Sequence, residues 1–255
     1  MKTHFFTLLF VCCLSSSFAQ RTAPDLLPGK QGTLTVQPIV HASLVLTGSG
    51  KVIYVDPTGG ASGYAGLAAP DIILITDIHG DHLSSATIDS VKTPNTILVV
   101  PQAVADKLPE ADKARAVILK NGESTVQAGI GIRAIPMYNL PESPTAAHTR
   151  GRGNGYILTI AGKKVYISGD TQGIPEMRAL TGIDVAFVCM NLPYTMDINE
   201  AADAVLAFKP KIVYPYHYRG RGGLSDVNAF KGLVEAGNKG IEVRLLNWYP
   251  PTPKP

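Results

Sequence analysis

The run Ile72-Ile73-Leu74-Ile75-Thr76-Asp77-Ile78-His79-Gly80-Asp81-His82 changes character within two residues. Its four leading apolar residues suit a short strand buried on both faces, the habit of parallel strands in layered α/β structures. Directly after them stand Asp77, His79, Asp81 and His82, four side chains of metal-binding kind within six positions, in a chain with six histidines in all. Strands in such sheets present their C-terminal ends along one edge, where ligands bind. The run therefore demands a sheet that buries its strands and opens that edge to a polar site.

Other short apolar segments end in the same kind of residue. Strands are expected at 52–55, 71–75, 96–100, 130–135, 156–160, 164–167, 184–189, 212–216 and 241–246, with helices at 84–91, 102–108, 198–208 and 225–236. β-rich segments followed by alternating strand and helix, twice over, imply mixed sheets covered by helices. Asp197 and Glu200 have the spacing of a capping box at the head of the helix 198–208. Residues 20–32, with Pro24, Pro28 and Gly29, read as an irregular lead-in, and 136–155 as a long loop of the functional kind. The 164–167 strand leads to Asp170, the 212–216 strand to His217, and the long loop carries His148. A lone histidine at a strand end is more often structural than a ligand; several at such ends in one chain favour a shared site.

The N-terminus has a separate purpose. Lys2, the apolar run Phe5 to Leu14 and Ser17-Phe18-Ala19 form a signal peptide over residues 1–19, too short in its apolar part to span a bilayer. The mature chain, 20–255, is expected to be one domain with a proline-rich tail, exported to a periplasm or secreted, with no stable membrane span. Its formal charge falls from +3 to +2 on loss of Lys2, which demands no nucleic-acid partner. Cleavage leaves Cys189 alone in an apolar run, so a buried, inert thiol is expected and a disulfide within the chain is not possible.

The order Thr76-Asp77-Ile78-His79-Gly80-Asp81-His82, His148, Asp170, His217 resembles the metallo-β-lactamase superfamily of metal-dependent hydrolases. The resemblance covers nearly the whole mature chain. It is closest to the branch of ascorbate-phosphate lactonases and small metal-dependent hydrolases, through His41-Ala42-Ser43, Gly169-Asp170-Thr171 and Tyr194-Thr195-Met196. It implies an αβ/βα sandwich of two mixed β-sheets flanked by helices. It also implies two metals, one held by Asp77, His79 and His148, the other by Asp81, His82 and His217, with Asp170 between them. Zinc is the expected metal, with manganese or iron as alternatives. The bound water would have its pKa lowered to about 7, giving a hydroxide nucleophile. Asp81 is both a ligand and the expected catalytic carboxylate.

The chain departs from the family at two points. Asp77 replaces the family's first histidine; it is either a harder, charged ligand that tilts the site toward manganese or iron, or a group that orients the ligands. Tyr138-Asn139 lies where relatives carry a histidine, which leaves His148 as the ligand and Asn139 beside it. His148 and His217 each open a His-x-Arg-Gly-Arg-Gly stretch. Arg150 and Arg219 are candidates for an anionic substrate group, or for pairing with nearby acids, and His41 for orienting a ligand or the substrate. The expected activity is hydrolysis of a small anionic lactone, ester or phosphoester. The alternatives are a β-lactam hydrolase, a coloured di-iron redox protein, or a non-catalytic metal- or ligand-binding protein.

Overall fold

A computed structural model of the chain describes residues 21–250. The signal-peptide reading of residues 1–19 lies outside them, as does the end of the proline-rich tail.

Two seven-stranded sheets follow one another along the chain. The first contains β1 (Asp25–Gly29), β2 (Gly32–Val40), β3 (Ser43–Gly48), β4 (Lys51–Val55), β5 (Ile72–Leu74), β6 (Ile97–Val100) and β7 (Val117–Ile118), in that spatial order. β1 to β4 form an antiparallel meander, and β5, β6 and β7 then add in parallel. The second contains β8 (Ser124–Gln127), β9 (Ile130–Met137), β10 (Gly153–Ile160), β11 (Lys163–Ile167), β12 (Val185–Cys189) and β13 (Ile212–Tyr216). A ribbon of β14 (Arg219–Gly220) and β15 (Gly223–Leu224) stands apart, and β16 (Glu242–Val243) completes the second sheet beside β13. This sheet repeats the plan of the first: four antiparallel strands, then three parallel ones.

Helices cover the two sheets, giving the sandwich that the resemblance implies. One apolar core lies between the sheets and joins Leu44, Ile53, Ile72 and Leu74 to Ile132, Tyr156, Leu158 and Ile167. On the other face of the first sheet, Val45, Tyr54, Ile73 and Ile75 pack with Ile88 of α1 (Ser85–Val91) and Val104 of α2 (Gln102–Ala105). Residues 72–75 therefore face alternate cores and are all fully buried. Each such side chain contributes about 1.5–3 kcal/mol on leaving water. A third short helix, α3 (Glu110–Lys113), follows Pro109, and α4 (Pro175–Arg178) begins at a proline that fits its first position.

α5 (Ile198–Phe208) has the expected limits. Asp197 caps it, accepting from the backbone N–H groups of Asn199 and Glu200 at 2.8 Å each. Glu200 does not close the box; it accepts from Gly173 N at 2.9 Å and ties the helix to the loop after Asp170. α6 (Val227–Gly237) packs beside α5 and is capped by Asp226.

Four expectations need correction. The lead-in holds an ordered edge strand, β1, because proline is tolerated where one side of a strand has no partner, and Leu27 anchors it in the core. β10 starts at Gly153, three residues before the expected strand. Its glycines mark close backbone approach: a Cβ on Gly155 would lie 2.8 Å from Ser168 O. The helix expected over 102–108 is α-helical only to Ala105. The last strand pairs only at Glu242–Val243.

Candidate metal centre

The polar residues converge because four loops meet at one edge. Asp77, His79, Asp81 and His82 follow β5, Asp170 follows β11 and His217 follows β13, while His148 comes from the loop between β9 and β10. Several turns at this edge use the left-handed backbone region: His41 (φ 49°), Asp56 (φ 45°), Gly169 (φ 61°) and His217 (φ 46°). For residues with a Cβ this conformation is strained, and it is kept where a side chain must be aimed. Two of these turns brace each other, since His217 N donates to His41 O at 3.2 Å.

Two triads result. Asp77, His79 and His148 bring one ligand atom each to within 4.8 Å of one another, and Asp81, His82 and His217 do the same. Asp170 lies between them. Its Oδ2 is 3.2 Å from His148 Nε2 and 3.3 Å from His82 Nε2, and its Oδ1 is 3.5 Å from His217 Nε2. Burial alone would push the Asp170 carboxyl up; the charges of His82 and His217 hold it well below the usual range. Burial likewise opposes a charge on His82, yet Asp170 and Asp56 push its pKa well up. Asp81 is 42% exposed; the hydrogen bond with His217 and the charge of His82 outweigh its partial burial and lower its pKa.

The orphaned atoms test whether cations fit. His82 Nε2, both ring nitrogens of His148, Asp170 Oδ1 and His217 Nδ1 are buried without a hydrogen-bond partner. Such an atom costs about 1–3 kcal/mol unless something satisfies it. Three of them, His82 Nε2, His148 Nε2 and Asp170 Oδ1, lie where the triads meet and, among imidazoles and carboxylates, form a donor set that suits divalent cations.

Around the triads is a second layer of contacts. His82 Nδ1 meets Asp56 Oδ2 at 2.9 Å, and Thr76 binds both Asp56 oxygens through its N–H (2.7 Å) and its hydroxyl (2.6 Å). Asn139 clamps His148: its Oδ1 accepts from His148 N at 2.8 Å and its N–H donates to His148 O at 2.9 Å. Asn191 Nδ2 lies 3.4 Å from His217 Nε2. Arg152 forks onto Asp77, with Nε 3.1 Å from Oδ1 and Nη2 2.9 Å from Oδ2.

The expected substrate residues separate. Arg150 bonds to Glu142 and Glu176 and lies 4.8 Å over the Tyr138 ring, so its donors are already committed to acids. Arg219 lies 4.3 Å over the ring of Tyr249 and has no acidic partner among the described residues. The Tyr249 hydroxyl is 3.2 Å from His41 Nδ1, and the His41 ring meets that of His217 edge-on at 5.6 Å. Burial, and then the nearby charge of His217, lower the pKa of His41. Cys189 is fully buried in β12, and burial pushes its thiol up to about 12. Sequence reasoning missed Asp56 as the partner of His82, although Asp56-Pro57 ends a strand at the same edge. It also missed the role of Arg152, which lies two residues from the arginine it singled out.

Three comparisons bear on this geometry. Residues 35–217 match the model of the beta-lactamase superfamily domain. A UPF0173 metal-dependent hydrolase of Pyrococcus abyssi is 31% identical over 204 residues, covering 76% of this chain and 89% of its own length. Another, from Thermus thermophilus, is 28% identical over 218 residues, covering 83% and 95%. Among solved structures, a protein of Parabacteroides distasonis described as a metal-dependent hydrolase has a TM-score of 0.78 at 38% identity, covering 88% of this chain and 98% of its own. A diiron β-hydroxylase of Streptomyces venezuelae shares the fold at 17% identity, with a TM-score of 0.63 over 83% of this chain and 52% of its own.

Proposed function

Since the chain belongs to the metallo-β-lactamase superfamily and is a metal-dependent hydrolase, we propose that it uses two zinc ions to hydrolyse a small anionic lactone, ester or phosphoester outside the cytoplasm. The observation that carries this reading is the pair of triads joined through Asp170, with their buried nitrogens unsatisfied. Asp77, His79 and His148 would hold one ion, and Asp81, His82 and His217 the other. Bound there, the ions would supply Lewis acidity toward the scissile bond and a hydrolytic nucleophile at neutral pH.

The protein's own groups do the rest. Asp56 holds His82 with Nε2 inward, and Asn139 fixes the backbone of His148. Asp81, part-exposed to solvent and held 3.3 Å from His217 Nε2, orients the attacking water. Arg219, braced on Tyr249, binds the anionic group of the substrate, with His41 between it and His217. Arg150 stabilises the loop that carries His148 through Glu142 and Glu176. The export component rests on Lys2, the apolar run after it and Ser17-Phe18-Ala19. Among the described residues no helix is long and apolar enough to cross a membrane.

The test is elemental analysis of the purified mature protein, followed by a screen of lactones, phosphodiesters and β-lactams. Two equivalents of zinc and hydrolysis of anionic substrates are expected. Arg219→Ala should impair anionic substrates more than neutral ones. No metal uptake under saturating zinc and manganese overturns the reading, and equal losses on both substrate kinds overturn the role of Arg219.

A further inference from the structure

Asp77 is fully buried and receives three donors: the two of Arg152 and His79 Nδ1, which lies 2.8 Å from Oδ2. The Arg152 side chain is itself only 19% exposed. Its place is fixed by backbone. Asn154 N donates to Thr76 O at 2.9 Å, and Arg152 N donates to Thr149 O at 3.2 Å. Gly153 packs so tightly that a Cβ there would lie 2.8 Å from Thr76 O and 2.5 Å from Met137 Cε. The segment that brings His148 to the first triad thus also delivers Arg152 to Asp77.

The charge balance gives this contact a purpose. Asp77, Asp81 and Asp170 put three carboxylates among the ligand candidates, where an imidazole at position 77 would leave two. A guanidinium in bidentate contact cancels the additional charge. It also draws charge from Asp77, whose Oδ2 still faces His79 and, at 3.9 Å, His148 Nε2. A carboxylate so engaged carries less charge and is a weaker donor than a free one.

We propose that Asp77 and Arg152 act as one composite, charge-neutral ligand in place of a single imidazole. Arg152 is a positioning residue that sets the affinity and metal preference of the first triad. The inference rests on the reading that the triads bind metal.

The test titrates zinc and manganese, by chelator competition, into the metal-free wild type, Asp77→His, Arg152→Gln, Arg152→Lys and the double variant Asp77→His/Arg152→Gln. Melting curves of the metal-free proteins confirm folding. Asp77→His leaves a covered guanidinium facing a cation without its counter-charge, so first-triad affinity falls by about 10–100-fold, the scale of outer-contact effects. The double variant recovers most of that loss. Arg152→Gln bares the carboxylate and shifts preference from zinc toward manganese by roughly tenfold, while Arg152→Lys, which keeps the charge, does not. If Asp77→His does not fold, the contrast between Arg152→Gln and Arg152→Lys decides. Additive losses in the double variant, or an unchanged preference in Arg152→Gln, overturn the inference alone. A wild type that takes up no metal overturns the metal reading and this inference with it.

Discussion

Asp56 Oδ2 lies 2.9 Å from Nδ1 of His82, and neither side chain has any solvent exposure. With both Asp56 oxygens also held by Thr76, the carboxylate accepts the Nδ1 proton and turns Nε2 toward Asp170 and Asp81. The strand end that carries Asp56 therefore orients the ring of a histidine 26 positions later.

Asp56→Asn should weaken the second triad. An amide in that place presents a donor to Thr76 N or to His82, so one buried contact turns repulsive. The expected result is a metal affinity about 10–100-fold lower at the second triad, with the first unchanged, read by stepwise metal titration. Equal weakening at both triads would mean that Asp56 supports the fold and not His82.

Gly220→Ala should disturb substrate recognition without removing metal. A Cβ at this position would lie 1.8 Å from Leu192 O, a backbone atom that cannot step aside alone. The ribbon carrying Arg219 must then shift away from the 191–195 loop. Overpacking of this kind costs about 1–3 kcal/mol. A lower melting temperature and a raised KM for anionic substrates are expected, at unchanged metal content. An unchanged KM would detach Arg219 from substrate binding.

Asp25 joins the first strand to the second sheet, accepting from Tyr214 Oη at 2.6 Å and from Arg244 Nη1 at 2.9 Å. Partial burial opposes its ionisation, but the hydrogen bonds from Tyr214 and Arg244 prevail and lower its pKa. A carboxyl depressed in the folded state adds stability above its unfolded pKa of about 3.9, and that stability is lost as pH falls through the folded value. Asp25→Asn should cost about 1–2 kcal/mol at pH 7 in urea unfolding. The difference from wild type should shrink as the pH is taken from about 4 toward 2. A difference constant with pH would exclude the charge as its source.

How far the sequence could be read depended on whether a residue's partners are local. α5 was legible to the residue because Asp197 caps its own helix and Pro210 cannot continue it. The two triads were legible as a set because each member ends a strand or sits in the loop between two, and the family order supplied the grouping. Asp56 was not, since Asp-Pro is a common strand terminator and its partner is defined only by the pairing of β4 with β5. Choosing Arg150 over Arg152 failed for the same reason. A loop has no periodicity to say which arginine turns inward, and the answer came from the hydrogen bond between Asn154 and Thr76. β1 was hidden by Pro28 and Gly29, residues that an edge strand tolerates and an inner strand does not.

Each triad takes two members from the first sheet's half of the chain and one from the second's. An ion spanning Asp77 and His148 closes a loop of 71 residues (148 − 77), and one spanning His82 and His217 closes a loop of 135 (217 − 82). Cross-links over loops of this length lower the entropy of the unfolded chain by the equivalent of about 4–5 kcal/mol each in the chain-entropy model. With Cys189 as the free thiol among the described residues, ions bound at the triads would stand where a disulfide-stapled protein has its bridges. A chelator would then act on this molecule as a reductant acts on such a protein, unfastening the seam between the sheets before any strand is disturbed.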